Sequence, residues 1–224
     1  MKRFIAITLL CSLCIFVLYG CQASNASTTP ANTQKQQIIY HAVWPFYDTV
    51  SSLMEKADAI FTGTVTNISF AVVDIKTGKT AESAADGERL VLHTVYEIEV
   101  RTVYKGNEAE TQYLAIMGGI PGYNEEAQYQ VMKSCGIYQD NMGIPILQDS
   151  NPLAIGSEYL FVLRDSGGDH LRIPNLEQYA FSAETANAGD DSMLPNYDNI
   201  MEYFALLQTE DDLIIASIHA INQS

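Results

Sequence analysis

The sequence predicts a mainly β body with helices at its flanks. Three observations point there. β-Branched and aromatic residues recur in alternation along 57–70 and again along 90–103. Apolar residues fall at helical spacing near both ends of the body, at 48–57 and from 198 onward. Once an N-terminal leader and Cys21 are set aside, Cys135 is the one cysteine left, so no intrachain disulfide framework can form. The body then relies on its core, for which the chain is long enough.

Each element has its own reason. DTVSSLMEKA (48–57) predicts a short helix, with Asp48 as N-cap and Val50, Leu53, Met54 and Ala57 on one face. In ADAIFTGTVTNISF (57–70), Phe61, Gly63, Val65 and Asn67 alternate with Ile60, Thr62, Thr64 and Thr66; Gly63 marks a bulge or bend. Residues 74–88 are polar and rich in Gly, Ala and Lys, and read as a loop. Along 90–103, Leu90, Leu92, Thr94, Tyr96, Ile98 and Val100 share one face, and Val91, His93, Val95, Glu97, Glu99 and Arg101 the other. At ~3.3 Å per residue this strand would run about 46 Å, so it should be coiled or bulged, as barrel strands are. Tyr104-Lys105-Gly106 closes it with a turn.

Residues 111–117 predict another strand, stopped by Gly118-Gly119. Residues 120–151, punctuated by Pro121, Gly122, Gly143 and Pro145, read as loop. Residues 159–164 and 170–173 read as the arms of a hairpin turning at 165–169, and 178–181 as a last strand. Ile200, Met201, Phe204 and Leu207, then Leu213, Ile214, Ile218 and Ile221, predict one or two amphipathic helices packed on the β body.

The N-terminus has a separate logic. Lys2 and Arg3 precede an uncharged apolar run from Phe4 to Tyr19, then Gly20, Cys21 and a polar stretch: the three-part pattern of a secretory signal peptide. The run is shorter than the ~20 residues a spanning helix needs. Leu18-Tyr19-Gly20-Cys21 resembles the bacterial lipobox, although Tyr19 is bulkier than is usual at that slot. The resemblance implies cleavage after Gly20 and a diacylglyceryl thioether on Cys21. At ~0.8 kcal/mol per buried methylene, two or three acyl chains hold a protein on a membrane where one would not. The expected organisation is a lipoprotein signal peptide (1–20), a flexible tether (21–37) and one domain (38–224). The tether, QASNASTTPANTQKQQ after Cys21, has almost nothing to bury. The expected localisation is the extracytoplasmic side of a cell membrane, lipid-anchored.

Charge narrows the function. The chain carries −15, and loss of the leader removes two cations and no acid, giving −17. That opposes nucleic-acid binding and a polybasic grip on anionic lipid. No Asp/Asn loop ending in Glu suits a calcium hand.

ADAIFTGTVTNI (57–68), YEIEVRTVYKG (96–106) and LAIGSEYLFVL (153–163) together resemble a group of bacterial surface lipoproteins with an OB-like barrel. The layout is similar to the netrin-like barrel of tissue inhibitors of metalloproteinases. The resemblance covers about half of the mature chain and implies a five-stranded OB-like Greek-key barrel, with a helix before the first long strand and C-terminal helices. Those inhibitors chelate a target zinc through a free N-terminal cysteine. Here that residue would be Cys21, which lipid would hold in the membrane, and the inhibitors' disulfides are absent.

Candidate chemistry is sparse. Cys135, in MKSCGIY, would need a base such as His93 or His170 to act as a nucleophile. The four histidines, His41, His93, His170 and His219, form no close pair at metal-ligand spacing. GGIPGY (118–123) lacks the Lys-Ser/Thr of a phosphate loop, and no Gly-X-Ser-X-Gly occurs. Neither a catalytic residue, a metal nor a cofactor is expected. Tyr123, Tyr129 and Tyr138 lie in the long middle region, and tyrosine suits interfaces. The expected function is a non-enzymatic binding module presenting 118–151 to an envelope protein or wall polymer. The alternatives are an envelope-acting hydrolase and a protease-inhibitor-like module.

Overall fold

Two sixteen-residue strands, β2 (Ala59–Asp74) and β3 (Leu90–Lys105), run antiparallel through the middle of a sheet. The computed structural model describes residues 35–82, 89–106, 109–182 and 195–208. Contacts divide the chain at Lys35/Gln36, and every described strand and helix belongs to the unit from Gln36 onward. The leader and almost all of the tether lie outside the described residues, as do 213–221 and part of the expected 74–88 loop. Within that loop, β2 continues to Asp74 and turns at 75–77.

The β2–β3 register shifts three times, between Ile60 and Phe61, Thr62 and Gly63, and Val65 and Asn67. Such shifts bend and coil a strand pair of this length. Gly63 sits at the second shift. A Cβ there would lie 2.7 Å from Ile98 Cγ2 and 2.8 Å from the Glu99 carbonyl oxygen, so the close approach of β3 requires glycine.

β4 (Thr111–Met117) pairs antiparallel with β3, β6 (Glu158–Leu163) with the start of β2, and β7 (Ala180–Phe181) with β6. The five antiparallel strands take the order β4-β3-β2-β6-β7, making the protein mainly β. The expected second hairpin arm behaves differently. Arg172 bridges Arg164 at the end of β6, while Leu171 turns to the free edge of β4. There the Leu171 amide donates to the Tyr113 carbonyl at 2.9 Å, and the Ala115 amide donates to the Leu171 carbonyl at 3.1 Å.

Alternation sorts the side chains into separate cores. Phe61 and Val65 of β2, Tyr96 and Ile98 of β3, Leu114 and Ile116 of β4, and Phe161 and Leu163 of β6 form the main one. Phe61 and Phe161 meet with ring centroids 5.4 Å apart. The opposite face of β2 and β6, with Ile60, Leu160 and Val162, packs on α1 (Val50–Lys56) and on Ile200. Ile200 belongs to a helix, α3, seen over 197–208. Tyr104 stacks on Phe204 of α3, with centroids 4.9 Å apart. The N-cap of α1 is Thr49 rather than Asp48: Thr49 Oγ1 accepts from the Ser52 amide at 3.2 Å. Both residue types can cap, and the chain turns one residue later than the pattern suggests.

One expectation is overturned outright. Residues 125–134, expected as loop, form helix α2 (Glu125–Ser134). Tyr129 and Met132 of α2 pack with Leu92, Met142 and Ile144 in a third core.

Candidate functional site

The site is built on a strap, residues 41–47, fixed at both ends. Before it, the chain zips in parallel onto the segment after α2. β1 (Ile39–Tyr40) pairs with β5 (Ile146–Leu147), and the flanking bonds from Gln36 to Asn141 and from Gln148 to Tyr40 extend the zipper. Gln36 is thus already bonded to the segment after α2.

After it, two buried amides catch the strap. Asn175 Nδ2 donates to the Pro45 carbonyl at 2.6 Å. Gln178 Nε2 donates to the Tyr47 carbonyl at 2.6 Å, and the Tyr47 amide donates to Gln178 Oε1 at 3.0 Å. Asn175 is itself held, because its Oδ1 accepts from the Glu177 amide at 2.7 Å. Residues 41–47 belong to no strand, so side chains satisfy these carbonyls.

Between the two anchorages the strap leaves a groove of about 450 Å³, within the range of small-ligand sites. His41, Trp44 and Phe46 line it from the strap, together with Asp149, Leu176 and Glu177 from elsewhere in the chain. Phe46 is 57% exposed and Val43 fully so. Trp44 is half-buried and is the chain's only tryptophan. Its Nε1 is buried with no hydrogen-bond partner, a state that costs about 1–3 kcal/mol. Asp149 adopts a left-handed conformation, φ 61°, and also lines a second cleft of about 270 Å³ between Gly118–Pro121 and the end of β5. Tyr96 lines that second cleft, and burial pushes its hydroxyl up to about 12.

Of the three tyrosines expected as a binding surface, Tyr129 and Tyr138 pack into the third core. Tyr129 is core, 7% exposed, and meets Tyr138 edge-on at 5.7 Å. Tyr138 is partly buried in the same cluster, with Lys133 Nζ 5.1 Å from its ring centroid. Tyr123 is more exposed and tilts against Phe70. Within 118–151, Gln148 and Asp149 line the groove, and Gly118–Pro121 line the second cleft. The strap is not among the elements that the sequence pattern predicts; its one signal there is the lone tryptophan next to Pro45 and Phe46.

Cys135 follows α2 half-buried, its Sγ 3.8 Å from Ser134 Oγ. Two of the scattered histidines, His93 and His170, lie near enough to repel each other. His93 is 5% exposed, and burial pushes it down to about 4, with Arg172 and His170 adding repulsion. His170 is also lowered by burial, packs edge-on to Tyr113, and leaves Nδ1 buried without a partner. Arg172 is committed to the backbone, donating to the Ile75 carbonyl at 3.0 Å and the Asp74 carbonyl at 3.3 Å. Among the described residues, no group of three or more His, Cys, Asp or Glu is placed to hold a metal ion. Cys21 and Gly20, expected at the lipidation site, lie outside the described residues. Neither the protein-family models nor the curated proteins searched give a match to this chain.

Proposed function

We propose that the protein is a lipid-anchored extracytoplasmic binding module, whose OB-like barrel presents the Trp44–Phe46 groove to a ligand in the envelope. The lipobox-like Leu18–Cys21 supports the anchor, and the polar tether after it gives the domain reach. Among the described residues, no helix is long and apolar enough to cross a membrane.

Two features support a closed Greek-key barrel. β6 returns beside β2 after the consecutive β2, β3 and β4, giving the spatial arrangement of a Greek key. Leu171 and Arg172 then link the free edge of β4 to the end of β6, which is where a small barrel has to close.

The observation that carries the binding reading is an aromatic strap kept partly open. Asn175 and Gln178, both about 4% exposed, commit their amides to holding 45–47. Exposing Phe46 and Val43 has no folding benefit, and rigid aromatic surface is what binding sites use.

The test uses the full chain expressed in a bacterial host. Wild type should partition into detergent, and Cys21→Ala into the aqueous phase. The emission of Trp44 should shift when soluble envelope fragments are added. Aqueous partition of wild type would remove the anchor, and emission unmoved by every fragment would remove the groove.

A further inference from the structure

The lining of the groove is chemically one-sided. Asp149 and Glu177 bring two exposed carboxylates to it, and no lysine or arginine lines it. Neither carboxylate is in an ion pair; the one salt bridge among the described residues joins Lys56 to Glu55. Trp44 and Phe46 line the same groove, and aromatic ring faces attract cations at about 6 Å or less. Carboxylates and aromatic rings gathered in one groove suit positive charge. A neutral glycan would use the aromatic rings and donate hydroxyls to the carboxylates, but only a cation would also neutralise their charge. The net charge of the chain attracts cations to the groove from a distance.

Resting on the binding function proposed for this groove, we propose that it receives an aliphatic ammonium group carried by a peptide, the side chain of a lysine or its chemical equivalent. The ammonium would sit between Asp149 and Glu177, with its methylene stem along Trp44 and Phe46.

The experiment follows Trp44 emission in the detergent-solubilised full chain, which has no other tryptophan. Three probes are titrated at low and high salt: N-acetyl-lysine-N′-methylamide, the same compound acetylated on its side chain, and a neutral N-acetylglucosamine oligomer. The lysine compound should bind, more weakly at high salt. The side-chain-acetylated compound should bind about tenfold more weakly or worse, the usual effect of losing a charged hydrogen bond. An Asp149→Asn/Glu177→Gln double variant should lose binding to a similar degree. Asparagine tolerates the left-handed backbone at 149, so the fold is retained.

Equal binding of the charged and acetylated compounds overturns the proposal, without recourse to any variant. Binding of the oligomer in place of the lysine compound also overturns it, while leaving the groove as a binding site. Silence with all three probes, together with silence towards envelope fragments, overturns both readings.

Discussion

Gln178 and Tyr47 exchange two hydrogen bonds, side chain to backbone, across 131 residues of sequence. The carboxamide of Gln178 pairs with Tyr47 as a neighbouring strand would. It lets an irregular, proline-containing segment lie on the body with its polar groups satisfied. Replacing Gln178 with Ala leaves a part-buried donor and a part-buried acceptor without their partner. The expected cost is about 2–4 kcal/mol, from two partners at about 1–2 each. Chemical denaturation should show this loss, with Trp44 emission moving to that of solvated indole before the global transition.

Gln128 plays the same part on the other side of the body. It is fully buried, accepts from the Ile120 amide at 3.1 Å, and donates to the carbonyls of Ile120 and Tyr123 at 2.8 and 2.5 Å. Gln128→Leu has nearly the right volume but orphans all three groups. It should destabilise by about 2–4 kcal/mol, more than the exposed helical variant Gln130→Leu, which should stay within about 0.5 kcal/mol. Equal effects from the two variants would show that Gln128 clamps nothing.

Acid should destabilise the protein through its buried histidines. His93 is held down to about 4 by burial, against about 6.5 in an unfolded chain. Between those values the unfolded state binds the extra proton, so stability falls as pH drops from about 6.5 to about 4. Integrated over that window the loss is about 3 kcal/mol; above it the histidine contributes no slope, and below it the slope vanishes again. His170, lowered by burial too, acts in the same direction. His93→Phe should flatten this limb of the stability curve, read by denaturation at several pH values.

Closure of the sheet makes a separate prediction. If Leu171 completes a ring, the amides of Leu171 and Ala115 open with the global transition and exchange as slowly as those of the paired β2 and β3 core. Exchange at the rate of a loop would leave an open five-stranded sheet.

Most strands are legible in the sequence because alternation and glycine punctuation agree. The bounds of β4 coincide with the predicted 111–117, and Gly63 announces its bulge. Two features hide α2. Pro121, Gly122, Gly136 and Gly143 flank it like loop markers, and one of its buried positions is a glutamine, which breaks the apolar stripe that Tyr129 and Met132 would otherwise extend. Asn124 before it and Glu125-Glu126 in its first turn are its start signals, and they are weak beside that punctuation. The strap is illegible for another reason: it has no periodicity, and the side chains that hold it, Asn175 and Gln178, lie 130 and 131 positions from their partners. The pairing of His93 with His170 is likewise tertiary, created when 164–172 folds against β4.

The most direct measurement is the intact mass of the protein extracted from bacterial membranes, with fragmentation of its N-terminal peptide. The expected result is a chain that begins at Cys21 and carries a diacylglyceryl thioether there. A chain beginning at Met1, or one with a free thiol at Cys21, would contradict the anchoring of this groove-bearing domain to the membrane.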